Sequence, residues 1–195
     1  MSLNVEIFSP DNIITTFGLL GAGVVIFSET GLFFGFFLPG DTLILTAGLF
    51  ASQGFFSFGL LFIVLTLSAI IGDMVGYLSG QKLGTYWFNK KESFFFKRGY
   101  IEKAEKFYNK YGVMTIVLAR FVPIVRTFAP IIAGVIKMKY RTFFLYNVLG
   151  AVLWVGGIGV IGYFLGGILP KNTILHGALI AFIFVSAITP FLPDI

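Results

Sequence analysis

"LARFVPIVRTFAPIIAG", residues 118–134, places two arginines and two prolines inside an otherwise apolar run. Nine uncharged residues precede Arg120, and ten follow Arg126 before Lys137. Helical arms of that length reach about 14–15 Å, half of a hydrocarbon core of about 30 Å. Pro123 lies between the arginines and blocks a continuous helix, and Pro130 is expected to interrupt the second arm. In a straight helix, positions six apart point about 120° away from each other, so Arg120 and Arg126 could not enter one cavity. A broken segment lets them converge. Irregular backbone at that depth survives only when buried in protein or lining a wet cavity. The run from 111 to 136 therefore reads as a re-entrant hairpin, with Pro123 at its tip.

The rest of the chain sets the medium. Of its 195 residues, 57% are hydrophobic and 12% charged, with a mean hydropathy of +0.92. Soluble domains carry about 25% charged residues, so this is an integral membrane protein. Residues 42–72, 142–170 and 172–193 hold no formal charge, and each exceeds the ~20 residues that cross a bilayer as a helix. With 25 Phe and 24 Gly, lipid-facing bulk sits beside small residues that permit close helix approach. The absence of cysteine excludes disulfides, zinc thiolates and thiol catalysis. The opening "MSLNVEIFSPDN" has no Lys or Arg and so lacks the basic region of a cleaved signal peptide.

The net charge of +5 is not a nucleic-acid footprint. Eight of the 14 basic residues lie between Lys82 and Lys110, outnumbering Glu92, Glu102 and Glu105, which places 82–110 in the cytoplasm against anionic lipid. Lys137, Lys139 and Arg141 form a second basic cluster. A single crossing by 111–136 would put that cluster outside; a hairpin keeps both inside.

The first half offers a counterpart. "ETGLFFGFFLPGDTLILTAG", 29–48, has acids at Glu29 and Asp41 with a break at Pro39-Gly40. At an offset of 86 residues, Ala47-Gly48 falls on Ala133-Gly134, and "GYLSG" (76–80) falls on "GYFLG" (162–166). This predicts an all-α inverted repeat: two re-entrant hairpins, about four full spans and a basic cytoplasmic helical linker. The N-terminus is cytoplasmic, 12–28 crosses outward, and 29–52 re-enters from outside. Then 55–81 crosses inward, 82–110 links, 111–136 re-enters from the cytoplasm, and 142–169 and 173–192 cross out and back. Inverted repeats with broken helices near midplane mark transport sites. Gly72, Gly76, Gly80 and Gly84 recur every four residues as a packing face.

Buried arginines cost about 2.5–3.5 kcal/mol each on insertion scales unless paired or hydrated. They could be struts bridging Glu29 and Asp41, or a site for an anionic group, since the arginine fork donates bidentate hydrogen bonds to phosphate and stays charged in a dry site. "PGDT" also suits Asp41 as N-cap of a helix starting at Thr42. A carboxyl in low dielectric exchanges protons nearer neutral pH, the behaviour of coupling residues in transporters, which makes Glu29 and Asp41 candidates for gating. Asp73, nine residues inside Lys82 and so about 13 Å deep on a helix, is a third, or else bonds neighbouring backbone. His176, alone in the last span, reads as a packing residue. With no G-x-S-x-G elbow, metal-ligand cluster, P-loop or paired acidic motif, catalysis is not expected, and no cofactor is implied.

"RFVPIVRTFAPIIAG", together with "E…FLPGD" upstream and "GDMVGYLSGQKLG" between, resembles the DedA family of bacterial inner-membrane proteins, relatives of the VTT-domain lipid scramblases. The resemblance covers roughly residues 25–170. It implies two opposed re-entrant hairpins, a bacterial cytoplasmic-membrane location and lipid transport, with undecaprenyl phosphate or a phospholipid as substrate. It puts the family's acidic pair on Glu29 and Asp41 and its arginine pair on Arg120 and Arg126. The expected activity is proton-coupled recycling of a phosphate-bearing lipid. A proton-coupled exporter of small solutes, a phospholipid scramblase and a bilayer-shaping scaffold are the alternatives, and a homo-oligomer is compatible with the sequence.

Overall fold

The computed structural model describes residues 10–32, 38–87 and 114–168, and these are helical with short connections. Helix α1 spans Pro10–Gly31, α2 Gly40–Ser52 and α3 Phe58–Trp87. After the linker come α4 (Met114–Ala119), α5 (Pro123–Val135) and α6 (Tyr140–Ile168). Among the described residues, two stretches are long and apolar enough to cross a bilayer, Phe58–Lys82 and Tyr140–Ile168, close to the spans expected at 55–81 and 142–169. The span expected at 173–192, with His176, and positions 88–110 of the linker lie outside the described residues.

Two expectations at helix ends need correction. Glu29 does not open a separate hairpin, because α1 runs unbroken past it to Gly31. Asp41 is not the N-cap of a helix starting at Thr42: α2 starts at Gly40 with Pro39 in the cap position, so Asp41 lies within the first turn. A carboxylate there still meets the positive end of the helix dipole.

The predicted break at Pro123 is present. Helix α4 ends at Ala119, Val122 is extended, and Pro123 begins α5, the position where proline's missing N–H costs nothing. Pro130, by contrast, does not break its helix. It lies buried inside α5, which continues to Val135. A proline removes one helical hydrogen bond, but a neighbouring helix can accommodate the ring. Here the ring packs on α3, where a Cβ added at Gly76 would stand 3.4 Å from the Pro130 Cβ, ordinary van der Waals contact. At the far end of α5, Lys137 takes a left-handed φ of 53°, and Met138 N–H donates to the Ala133 carbonyl, closing the helix before α6. Lys137, Lys139 and Arg141 are all exposed there.

Contacts divide the chain into two units: residues 1–26, 37–68 and 155–195 in the first, 27–36 and 69–154 in the second. Inside the first, α2 lies backbone to backbone on the end of α6. A Cβ at Gly48 would come within 2.5 Å of the Gly159 carbonyl and 3.0 Å of the Tyr163 nitrogen. Inside the second, α5 lies in the same way on α3, and a Cβ at Gly134 would strike the Tyr77 carbonyl. Gly48 and Gly134 are 86 residues apart, as are Tyr77 and Tyr163. Gly76 meets Ile131 in one unit and Gly162 meets Leu45 in the other, again at that offset.

The second unit is further tied by Tyr77, whose hydroxyl donates to the Met138 carbonyl at 2.5 Å and whose ring stacks on Phe143 at 4.5 Å. Its α1–α3 contact is also backbone to backbone. A Cβ at Gly31 would lie 2.9 Å from the Gly72 Cα, so only glycines let these backbones touch. That contact brings Glu29, on α1, and Asp73, beside Gly72, into one interior.

Candidate functional site

Among the described residues, four charged side chains are buried in the second unit, and every one was singled out by the sequence: Glu29, Asp73, Arg120 and Arg126. They sort into two ion pairs. Arg126 pairs with Glu29, and Arg120 with Asp73. Asp41 belongs to the first unit, half-buried in the opening turn of α2. Asp73 bonds a guanidinium rather than only neighbouring backbone.

The local chain explains the arrangement. Arg120 falls in the turn that follows α4, and Arg126 in the opening turns of α5. The interruption at 120–122 removes the 120° divergence a straight helix would impose, and both guanidiniums come to the same aromatic ring. That ring is Trp154 of α6. The Arg126 Cζ lies 4.7 Å from its centroid and the Arg120 Cζ 5.9 Å, both within cation–π range. The order of breaker and charge along 118–134 therefore produces a convergent pair of forks.

Arg120 has a further acceptor. Its terminal nitrogen donates to the Asn147 side-chain oxygen as well as to Asp73. Asn147 is itself oriented, because its Nδ2 donates to the Ile70 carbonyl at 3.2 Å. Gly150, one turn on, leaves the gap in which the arginine stem lies: a Cβ there would stand 2.9 Å from the Arg120 Cδ. Sequence reading missed Asn147 and Trp154. Their spacing of seven was the signal, since it places both on one face of α6 with Gly150-Ala151 between them.

The interior is charged yet incompletely satisfied. Glu29 is fully buried and its Oε2 has no hydrogen-bond partner among the described residues; the same holds for the Arg120 Nε and the Thr127 hydroxyl. A buried ion pair is weak evidence for stability, because desolvation consumes much of the attraction, and hydrophobic residues of equal volume often serve as well. Planar forks converging in a dry interior can grip a tetrahedral oxyanion in bidentate fashion. No cluster of metal-ligating side chains occurs among the described residues.

Comparison with known proteins agrees with these motifs. Residues 38–164 match the VTT domain. The chain is 46% identical over 147 residues to Protein DedA of Escherichia coli K12, covering 74% of this chain and 67% of that one. It is 41% identical over 163 residues to the uncharacterized membrane protein ML0287 of Mycobacterium leprae, covering 84% and 73%. The inner membrane protein YqjA of Escherichia coli K12 is 31% identical over 143 residues, covering 73% and 65%. No solved structure matches the chain.

Proposed function

The chain belongs to the VTT-domain family of DedA-type membrane proteins, and on that footing we propose that it carries a phosphate-bearing lipid between the leaflets of the bacterial cytoplasmic membrane. The observation that carries this reading is the pair of buried guanidiniums on one tryptophan, each facing a carboxylate it can give up. Arg120 and Arg126 neutralise the headgroup phosphate while the hydrocarbon tail stays in lipid. Undecaprenyl phosphate is the substrate favoured, moved from the outer to the inner leaflet. The chain acts as a carrier, without a catalytic step or cofactor.

Glu29 and Asp73 are the competing anions that reset the empty site. A ligand shifts an equilibrium only by its differential affinity, so a carrier that releases its lipid needs a replacement partner for each arginine. Protonation of a carboxyl frees its arginine for phosphate, which couples lipid exchange to protons. Asp41, at the positive end of α2, gates from the first unit. The shared glycine register supports an inverted repeat, with α2 and α4–α5 as the inner arms of two re-entrant hairpins and the basic linker in the cytoplasm.

The test is translocation of a labelled polyprenyl phosphate in vesicles holding the purified chain. Transport is expected to respond to a pH gradient in the parent and to lose that response in Glu29→Gln or Asp41→Asn. Undiminished pH response in both variants removes these acids from the mechanism. Proton flux driven by a small soluble cation, with no lipid movement, would favour an exporter instead.

A further inference from the structure

Helix α6 presents a cradle to the arginines that the phosphate reading alone does not require. Asn147 anchors one end, Gly150 and the fully buried Ala151 leave a trough, and Trp154 closes the other end two turns away. Trp154 is 1% exposed, so it is not one of the tryptophans that anchor a span at the membrane surface.

A guanidinium resting on an aromatic ring uses its face. Its five N–H donors radiate in the plane, so the ring contact and the hydrogen bonds do not compete. An arginine held this way can exchange one acceptor for another without leaving its rest. Of the two pairs, the one with Arg126 lies nearer the ring, at 4.7 Å, and its carboxylate is Glu29, whose second oxygen is buried without a hydrogen-bond partner among the described residues. Releasing Arg126 strands no buried charge once Glu29 takes up a proton, so the exchange is tied to the protonation step proposed above.

We infer that Trp154 is a positioning residue: it fixes the plane of the Arg126 guanidinium while its edge passes from Glu29 to the phosphate of the substrate. This rests on the phosphate reading given above. Arg120, pinned by Asp73 and Asn147, shares the ring at 5.9 Å and keeps the second fork in register.

The chain has two tryptophans, so Trp87→Phe leaves Trp154 as the sole emitter. In that background, a polyprenyl phosphate titrated into the detergent-solubilised protein should produce a saturable change in Trp154 emission, and the matching polyprenyl alcohol should not. Calorimetry in parallel should find that Trp154→Leu weakens the phosphate Kd about 10- to 30-fold, the scale of a desolvated cation–π contact. Trp154→Phe, which keeps a ring, should recover most of that loss, and alcohol binding should be the same in all three. A tryptophan that merely packs would make Leu and Phe equivalent in Kd. Phosphate binding that leaves Trp154 emission unmoved, or Leu and Phe variants of equal affinity, would overturn the inference alone. Equal binding of phosphate and alcohol by the parent would overturn the phosphate reading and this inference with it. The emission is read on an intact Trp154, so it decides the matter even if Trp154→Leu does not fold.

Discussion

The two units use one packing register to hold two different interiors. In the first, Gly48 seats α2 on α6 over a core of fully buried Ile26, Ile44, Leu61 and Leu65. In the second, Gly134 seats α5 on α3 around Glu29, Asp73, Arg120, Arg126 and Asn147. At the offset of 86, Arg126 corresponds to Gly40, Asp73 to Gly159, Glu29 to Thr115, Asn147 to Leu61 and Trp154 to Ser68. The small residues recur and the charges do not. Backbone contact between helices is therefore a property of the repeat, and the two buried ion pairs among the described residues belong to one copy of it.

If that contrast is right, the largest losses come from uncoupling charge in the second unit. Glu29→Ala leaves Arg126 buried beside an empty space, and removing one partner of a buried pair costs about 3–5 kcal/mol. Thermal unfolding in detergent should fall by roughly 6–20 °C, at about 2–4 °C per kcal/mol for a chain of this size. A drop of only a degree or two would mean that the pair is already hydrated. Next come the seats themselves. Gly48→Ala and Gly134→Ala each drive a Cβ into backbone, which should cost about 1–3 kcal/mol by overpacking. The comparison predicts similar losses in both; tolerance at one position alone would break the shared register. Asn147→Leu removes an acceptor of Arg120 and a donor to Ile70, for about 1–3 kcal/mol. Gly157→Ala is the smallest: no atom lies within 4 Å of the added Cβ, so its stability should stay level or rise by up to about 1 kcal/mol through better helix propensity.

Much of this arrangement was legible before any coordinates. Uncharged runs marked the α3 and α6 spans because hydrocarbon admits little else, and Pro123 marked the break between the arginines. What failed were local rules that tertiary contact overrides. Pro130 reads as a breaker, yet it lies buried within α5 and packs on α3 beside Gly76. Glu29 reads as the start of a hairpin, yet α1 continues because Gly31 finds Gly72. The role of Asp73 was hidden for the same reason: the close approach of α1 and α3 brings it into the cluster with Glu29, and nothing along the sequence pairs it with Arg120. Asn147 and Trp154 looked like ordinary residues of an apolar span until the cradle between them was seen to hold an arginine.

The central claim is that the charged interior of the second unit holds a phosphate, and it is tested most directly by affinity for a phosphorylated isoprenoid against the matching alcohol. Lysine keeps the positive charge but not the planar fork, so Arg120→Lys and Arg126→Lys separate bidentate binding from simple pairing. The account predicts that the parent prefers the phosphate. Each lysine variant should weaken that binding by about 1.5–3 kcal/mol, with far smaller changes in expression and thermal stability. Equal binding of alcohol and phosphate by the parent, or unimpaired phosphate binding by both lysine variants, would contradict it.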